Sequence, residues 1–197
     1  MRKALATVAI CAMLAGVAES TPPAASSQPG SVSRAVPLIL EENEGEKRSW
    51  RPIEGATGWD AVPGPFILKV DPHNGGSSHL VFVTEDVPPG AAIPRHRHPG
   101  ADEILFFQNG RARVTLGDTT REVRGGATVF APANTWIEVS NIGTDAIHGV
   151  FVFSAPGFED FMRAESTPQG QKVTPLTKSE DAQIQKEHAH AAIYAEP

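Results

Sequence analysis

Thiol chemistry is almost missing from this chain of 197 residues, whose one cysteine is Cys11. Cys11 lies within an apolar run from Ala4 to Ala18 that follows Arg2 and Lys3. A basic start, a short apolar stretch and small residues near its end make the pattern of a secretory signal peptide. Gly16 and Ala18 suit cleavage after Ala18, and Ala18 and Ser20 suit cleavage after Ser20. A lipoprotein cut before Cys11 is not expected, because Ile10 is not small and hardly any apolar stretch precedes it. With residues 1–18 removed the mature chain has no cysteine. Disulfides, thiolate nucleophiles and thiolate metal ligands are thereby excluded. The run is also too short for a comfortable membrane span. No stable membrane insertion is expected after cleavage, and the destination read from the signal is the periplasm or the medium.

Positive charge is scarce as well. Lys and Arg total 17 against 23 Asp and Glu, a net charge of -6. Removing Arg2 and Lys3 leaves 15 against 23, or -8. No broad basic surface is available, so nucleic acid is excluded as a partner. The chain has no Gly-x-Ser-x-Gly, no P-loop and no dinucleotide fingerprint, which removes the usual acyl-transfer and phosphate-binding readings. It shows no internal duplication either.

What the chain does have is a globular balance, 40% hydrophobic and 20% charged, with 18 Gly and 17 Pro. That mixture favours short strands joined by turns over a helical bundle. Residues 19–45 read as a linker, a Ser-, Pro- and Ala-rich tether passing into a charged lead-in loop expected over Glu41–Arg51. Strand-like runs follow at Phe66–Val70, Leu80–Val83, Ile104–Phe107, Arg111–Leu116, Arg121–Arg124, Thr128–Ala131, Trp136–Asn141 and Ile147–Phe153. Asn109-Gly110 reads as a hairpin turn, and Gly117-Asp118 as another. The regular spacing predicts an all-β antiparallel sandwich or barrel over 46–156. Over 157–197 the pattern becomes helical. Phe158, Phe161 and Met162 stand at helical spacing, and Thr177-x-x-Glu180 is a capping box expected to open a helix running to about Tyr194. His188 and His190, two residues apart, read as solvated side chains.

Chemistry concentrates in the stretch from Gly90 to Glu103. On a strand, residues i and i+2 face the same way, so His96 and His98 can reach one point. Pro99-Gly100 turns the chain, and Glu103 can return its carboxylate to that point. Two imidazoles and a carboxylate suit a divalent first-row metal with positions left open for substrate or water. His-x-His alone arises easily by chance; the wider spacing is more specific. Gly90, five residues, His96-x-His98, four residues, Glu103, six residues and Gly110 resembles, residue for residue, the first motif of the cupin family.

The second cupin motif is similar to Gly126, five residues, Pro132-Ala133-Asn134, two residues, Ile137, three residues, Asn141. Asn134 stands where the family has Gly, an exchange that a left-handed conformation tolerates. Ile137 stands where the family has its fourth metal ligand, a His. Glu138 has the wrong strand parity to replace it. His148, on the following strand, is a more remote substitute whose register the sequence leaves open, and a satisfied barrel or surface histidine is the simpler reading. Arg95 and Arg97 have the parity opposite to the histidines and are expected to face away. Trp136, Phe106 and Phe107 read as barrel packing. The flanking segments Asp102–Phe107 and Ala155–Phe161 also look like the quercetin-dioxygenase-like branch.

The resemblance, over about Arg48 to Ala164, implies a small double-stranded β-helix, or jelly roll, with short C-terminal helices. It implies iron, manganese or nickel, with zinc an alternative, held by His96, His98 and Glu103. The implied activity is a non-haem dioxygenase acting on a small organic molecule of phenolic type. The alternative is a metal- or small-molecule-binding cupin without turnover, motivated by Ile137. The family also admits a homodimer.

Overall fold

A computed structural model describes residues 35–56 and 64–195. The signal-peptide reading of 1–18 and the tether over 19–34 lie outside the described residues. The strands are β1 (Glu46–Trp50), β2 (Pro65–Val70), β3 (Val81–Val87), β4 (Ala92–Arg97), β5 (Glu103–Phe107), β6 (Arg111–Leu116), β7 (Thr119–Arg124), β8 (Thr128–Ala131), β9 (Ile137–Asn141), β10 (Ile147–Phe153), β11 (Ser166–Pro168) and β12 (Ile193–Tyr194). The helices are α1 (Phe158–Ala164) and α2 (Lys178–Glu187). One sheet has the order β11-β1-β2-β3-β10-β5-β8 and the other β12-β4-β9-β6-β7. Every strand pair in both is antiparallel. The chain passes between the sheets as it proceeds, which is the jelly-roll arrangement expected. Among the described residues no helix is long and apolar enough to cross a membrane.

Alternation decides which faces meet. On β10 Ile147, Gly149, Phe151 and Phe153 are buried while His148, Val150 and Val152 are half-exposed, and on β5 Leu105 and Phe107 are buried while Ile104 and Phe106 face out. Phe106 is therefore not barrel packing, in contrast to Phe107. The inward residues of both sheets join in one apolar core that includes Phe66, Leu68, Val83, Leu105, Ile137 and Phe153. At 25 cal/mol per Å² of apolar surface, each such side chain contributes about 1.5–3 kcal/mol by leaving water.

Further expectations change in the folded chain. Asn109-Gly110 is not a hairpin turn, because β5 pairs with β10 and β8 whereas β6 pairs with β7 and β9. The segment carries the chain from one sheet to the other. Gly110 has φ 81°, and a Cβ there would lie 2.8 Å from Ile147, so only glycine fits. Gly117-Asp118, by contrast, is a two-residue hairpin between Leu116 and Thr119.

The charged lead-in expected over 41–51 contains β1, which pairs with β2 and β11. Its Arg48 has its own partners there, donating to Ser166 Oγ (2.6 Å) and to Glu46 (2.7 Å). Part of the expected linker is also tied down: Val36 N–H donates to Gly75 O (2.8 Å), and the Lys69 ammonium donates to the carbonyls of Glu41 and Glu42.

The last helix ends at Glu187 rather than near Tyr194. Thr177 and Glu180 form the capping box that was expected. At the other end Ala191 and Ala192 bury, and Ile193–Tyr194 leave the helix to pair with β4. The C-terminal flank is therefore mixed, since β11 and β12 each add an edge to one sheet.

Candidate metal centre

His96 lies on β4 and Glu103 opens β5, so the two sheets each bring part of the group. β4 is irregular where it meets β9, its register shifting between Ile93 and His96. Pro94 sits inside that irregular stretch, and having no N–H it suits a position outside the ladder. His96, His98 and Glu103 are all buried, with exposures of 5%, 3% and 2%. One ligand atom from each lies within 4.8 Å of the others. The two imidazoles stand edge to face, centroids 5.0 Å apart.

Each ring is oriented by its other nitrogen. His96 Nδ1 bonds to Pro94 O at 2.7 Å, and His98 Nδ1 bonds to Ala191 O at 2.8 Å. A carbonyl only accepts, so each Nδ1 carries the proton and each Nε2 is left with a lone pair. His98 Nε2 and Glu103 Oε2 are 3.7 Å apart, too far for a hydrogen bond, and both are buried with no hydrogen-bond partner among the described residues. Burial holds both imidazoles below their usual range, His98 down to about 3, with His96 adding to the effect on it. Neutral His98 makes no ion pair with Glu103. Burial, and to a lesser degree the nearby Glu85, pushes Glu103 up to about 8. A buried lone pair and a buried carboxyl oxygen 3.7 Å apart, neither of them hydrogen-bonded, are unusual in a folded interior. A divalent cation would satisfy both groups at once, so the donor set fits the metal inferred from sequence.

A cavity of about 620 Å³ opens on this group; His96 and Glu103 line it, with Leu105, Phe151, Phe153 and Tyr194 among its apolar walls. That size suits a small organic molecule.

Ile137 is the cross-strand partner of His96 and is fully buried, outside the residues that line the cavity. It fills core volume and does not open an apolar patch to a ligand. Glu138 is half-buried on the cavity wall but is outside the ligand group. His148 faces out of the barrel and bonds through Nδ1 to Asp86 Oδ1 at 2.6 Å. Asn134 has φ 66°, the left-handed conformation that its position in the second motif requires, and its N–H donates to His98 O at 2.7 Å. Asn141 is a structural tie, donating to Val87 O and Asp145 O. Arg95 and Arg97 lie over Trp136, 5.7 and 4.8 Å from the ring. His190 is exposed and His188 half-buried against Phe161. Neither is a ligand. A second cluster, His73, Glu159 and Asp160, has its groups already engaged, His73 with Asp160 (2.7 Å) and Glu159 with the Gly157 N–H (2.6 Å).

Sequence reasoning missed Glu85 and the C-terminal wall. Glu85 is 7% exposed and its carboxylate accepts from Trp50 Nε1 at 2.7 Å. Its signal was present: Val81, Val83, Glu85 and Val87 share the inward parity of β3, all buried. Tyr194 stacks on His96, centroids 5.4 Å apart. Nothing local in the sequence marks a residue nearly a hundred positions downstream as a neighbour of His96.

Residues 83–153 match the family model for the cupin domain. An uncharacterized protein of Methanocaldococcus jannaschii is 35% identical over 57 residues, 29% of this chain and 46% of that protein. The match thus spans about half the length of that curated relative. A crystal structure from Thermotoga maritima, described as a predicted oxalate decarboxylase, superposes with TM-score 0.51 at 15% identity, over 60% of this chain and all of that one. KdgF from a Halomonas species gives TM-score 0.43 at 18% identity, over 49% of this chain and 83% of that one. At such identities the likeness to the Thermotoga structure speaks for the fold.

Proposed function

We propose, from the match of residues 83–153 to the cupin-domain model, that His96, His98 and Glu103 bind one divalent metal and that the cavity beside it receives a small organic substrate of phenolic type. The observation that carries this reading is the pair of buried, partnerless atoms, His98 Nε2 and Glu103 Oε2, in a site that His96 completes. The chemistry proposed is that of a non-haem dioxygenase, in which a bound iron, manganese or nickel ion would supply Lewis acidity and a place for oxygen. The protein's part is to hold both imidazoles neutral and fixed through their Nδ1 bonds, and to present one carboxylate from the opposite sheet. Its apolar walls exclude water and orient an aromatic ligand. A place outside the cytoplasm belongs to the same proposal and is supported by the pattern of Arg2, Lys3 and the following apolar run.

Ile137 favours a second reading, a cupin that binds metal or ligand without turnover, because the residue across the ladder from His96 cannot coordinate. Elemental mass spectrometry of wild type and His96→Ala, each expressed with several metals supplied, is the first test. About one metal per chain, lost in the variant while the melting curve stays cooperative, is expected. Wild-type protein that takes up no metal would overturn the metal-dependent dioxygenase and leave the second reading only as ligand binding without metal. Oxygen uptake with phenolic substrates then separates the enzyme from the binder.

A further inference from the structure

The cavity wall carries an inference about which molecules enter, and it rests on reading this cavity as the ligand site of the metal centre. Among the described residues, five acidic ones line the cavity, Glu85, Glu103, Glu138, Glu165 and Asp181, against one arginine, Arg95. The Arg95 guanidinium is drawn over Trp136, which is not part of the lining. Three other side-chain donors of the wall are likewise committed. Trp50 Nε1 donates to Glu85, Gln185 Nε2 donates to both oxygens of Asp181 at 3.0 and 3.1 Å, and His96 Nδ1 is used by Pro94 O.

A carboxylate entering here would lose water, meet like charge and find these donors taken. A divalent metal on Glu103 would leave one net positive charge at the centre. Glu138, Glu165 and Asp181 formally outweigh it on the remaining wall. A molecule bringing its own donors meets the opposite situation, with carboxyl oxygens to accept them. The aromatic rings of Trp50, Phe151, Phe153 and Phe158 in the same wall suit a flat apolar body and the face of an ammonium group.

We propose that the cavity binds aromatic molecules carrying hydroxyl or ammonium donors and rejects their carboxylate counterparts, with Glu138 and Asp181 as specificity-determining residues. The test is isothermal titration of the zinc-loaded protein, zinc being redox-inert, with three ligands that share one phenol and differ at the far end: tyramine, 4-hydroxyphenethyl alcohol and 4-hydroxyphenylacetate. The amine and the alcohol are expected to bind at least about tenfold more tightly than the acid. Glu138→Gln combined with Asp181→Asn keeps the shapes and removes two formal charges, and should bring the ratio of acid to alcohol affinity close to one. Equal or tighter binding of the acid to wild type, no binding of any of the three, or an unchanged ratio in the double variant would overturn the proposal. Zinc content measured on the same sample separates the two readings. Protein that holds no zinc refutes the metal centre, and the same titration of that protein still decides the selectivity.

Discussion

Ile137 faces His96 across the β4–β9 ladder with no exposed surface, so a side chain introduced there points at the centre. Ile137→His is expected to tighten metal binding by supplying the fourth ligand. In the metal-free protein the same change buries an imidazole in place of a hydrocarbon, at a cost of about 1–3 kcal/mol. Thermal melts with and without metal should show a lower midpoint than wild type without it and a larger metal-induced rise. Glu103 sets the pH dependence. Its pKa, and that of Glu85, are raised to about 8 by burial, so both carboxyls hold protons in the folded, metal-free protein at neutral pH. A raised pKa gives stability that is full at acid pH below the ordinary carboxyl range and is lost as pH climbs through about 8. The metal-free protein should therefore melt at lower temperature as pH rises from 5 to 8. Metal must displace the Glu103 proton, so affinity should increase by up to about tenfold per pH unit and level off near pH 8. Metal titrations across this range check the slope. A flat profile would mean that Glu103 is not a ligand.

At the scale of elements, β12 is the least expected contributor. Two residues pair with β4 at Arg97 and His96, Ala195 N–H donates to Arg95 O at 2.8 Å, and Ala191 O fixes the His98 ring. One short segment thus reaches both histidines. Outer partners of this kind typically change metal affinity by about 10–100-fold when removed. Tyr194→Ala, which removes the ring stacked on His96, should weaken metal binding by about tenfold while far-ultraviolet circular dichroism retains the strand signal. The His-x-His pair, the turn and Glu103 were legible because strand parity and a six-residue return are local rules. Tyr194 and Ala191 were not, since their approach depends on α2 ending at Glu187 and the chain folding back.

For the whole molecule, Arg163 joins parts that are far apart in sequence. Its guanidinium binds Glu46 of β1 (2.6 Å) and Asp71 of the turn after β2 (2.7 Å). Asp71 has no exposed surface and also accepts the N–H groups of His73 and Asn74. Arg163→Met would leave that buried carboxylate without its cation, at a cost of about 3 kcal/mol, whereas the exposed pairs of Glu122 with Arg111 and Arg113 should each contribute less than about 1 kcal/mol. Urea titrations of Arg163→Met and Glu122→Gln measure both. Comparable small losses would show that Asp71 finds other partners.

The strand periods, the hairpin at Gly117-Asp118, the capping box at Thr177 and the triad His96, His98 and Glu103 follow from sequence alone, because each depends on spacing along the chain. So does the left-handed Asn134, whose place in the motif calls for a residue that tolerates positive φ. Only the tertiary structure decided that Asn109-Gly110 crosses between sheets, that Glu46–Trp50 is a strand, and that Glu85 and the C-terminal segment wall the cavity. These depend on which strands become neighbours and on which carboxyls are cut off from water. Such outcomes come from packing the two sheets together, a long-range event that leaves no local period to read.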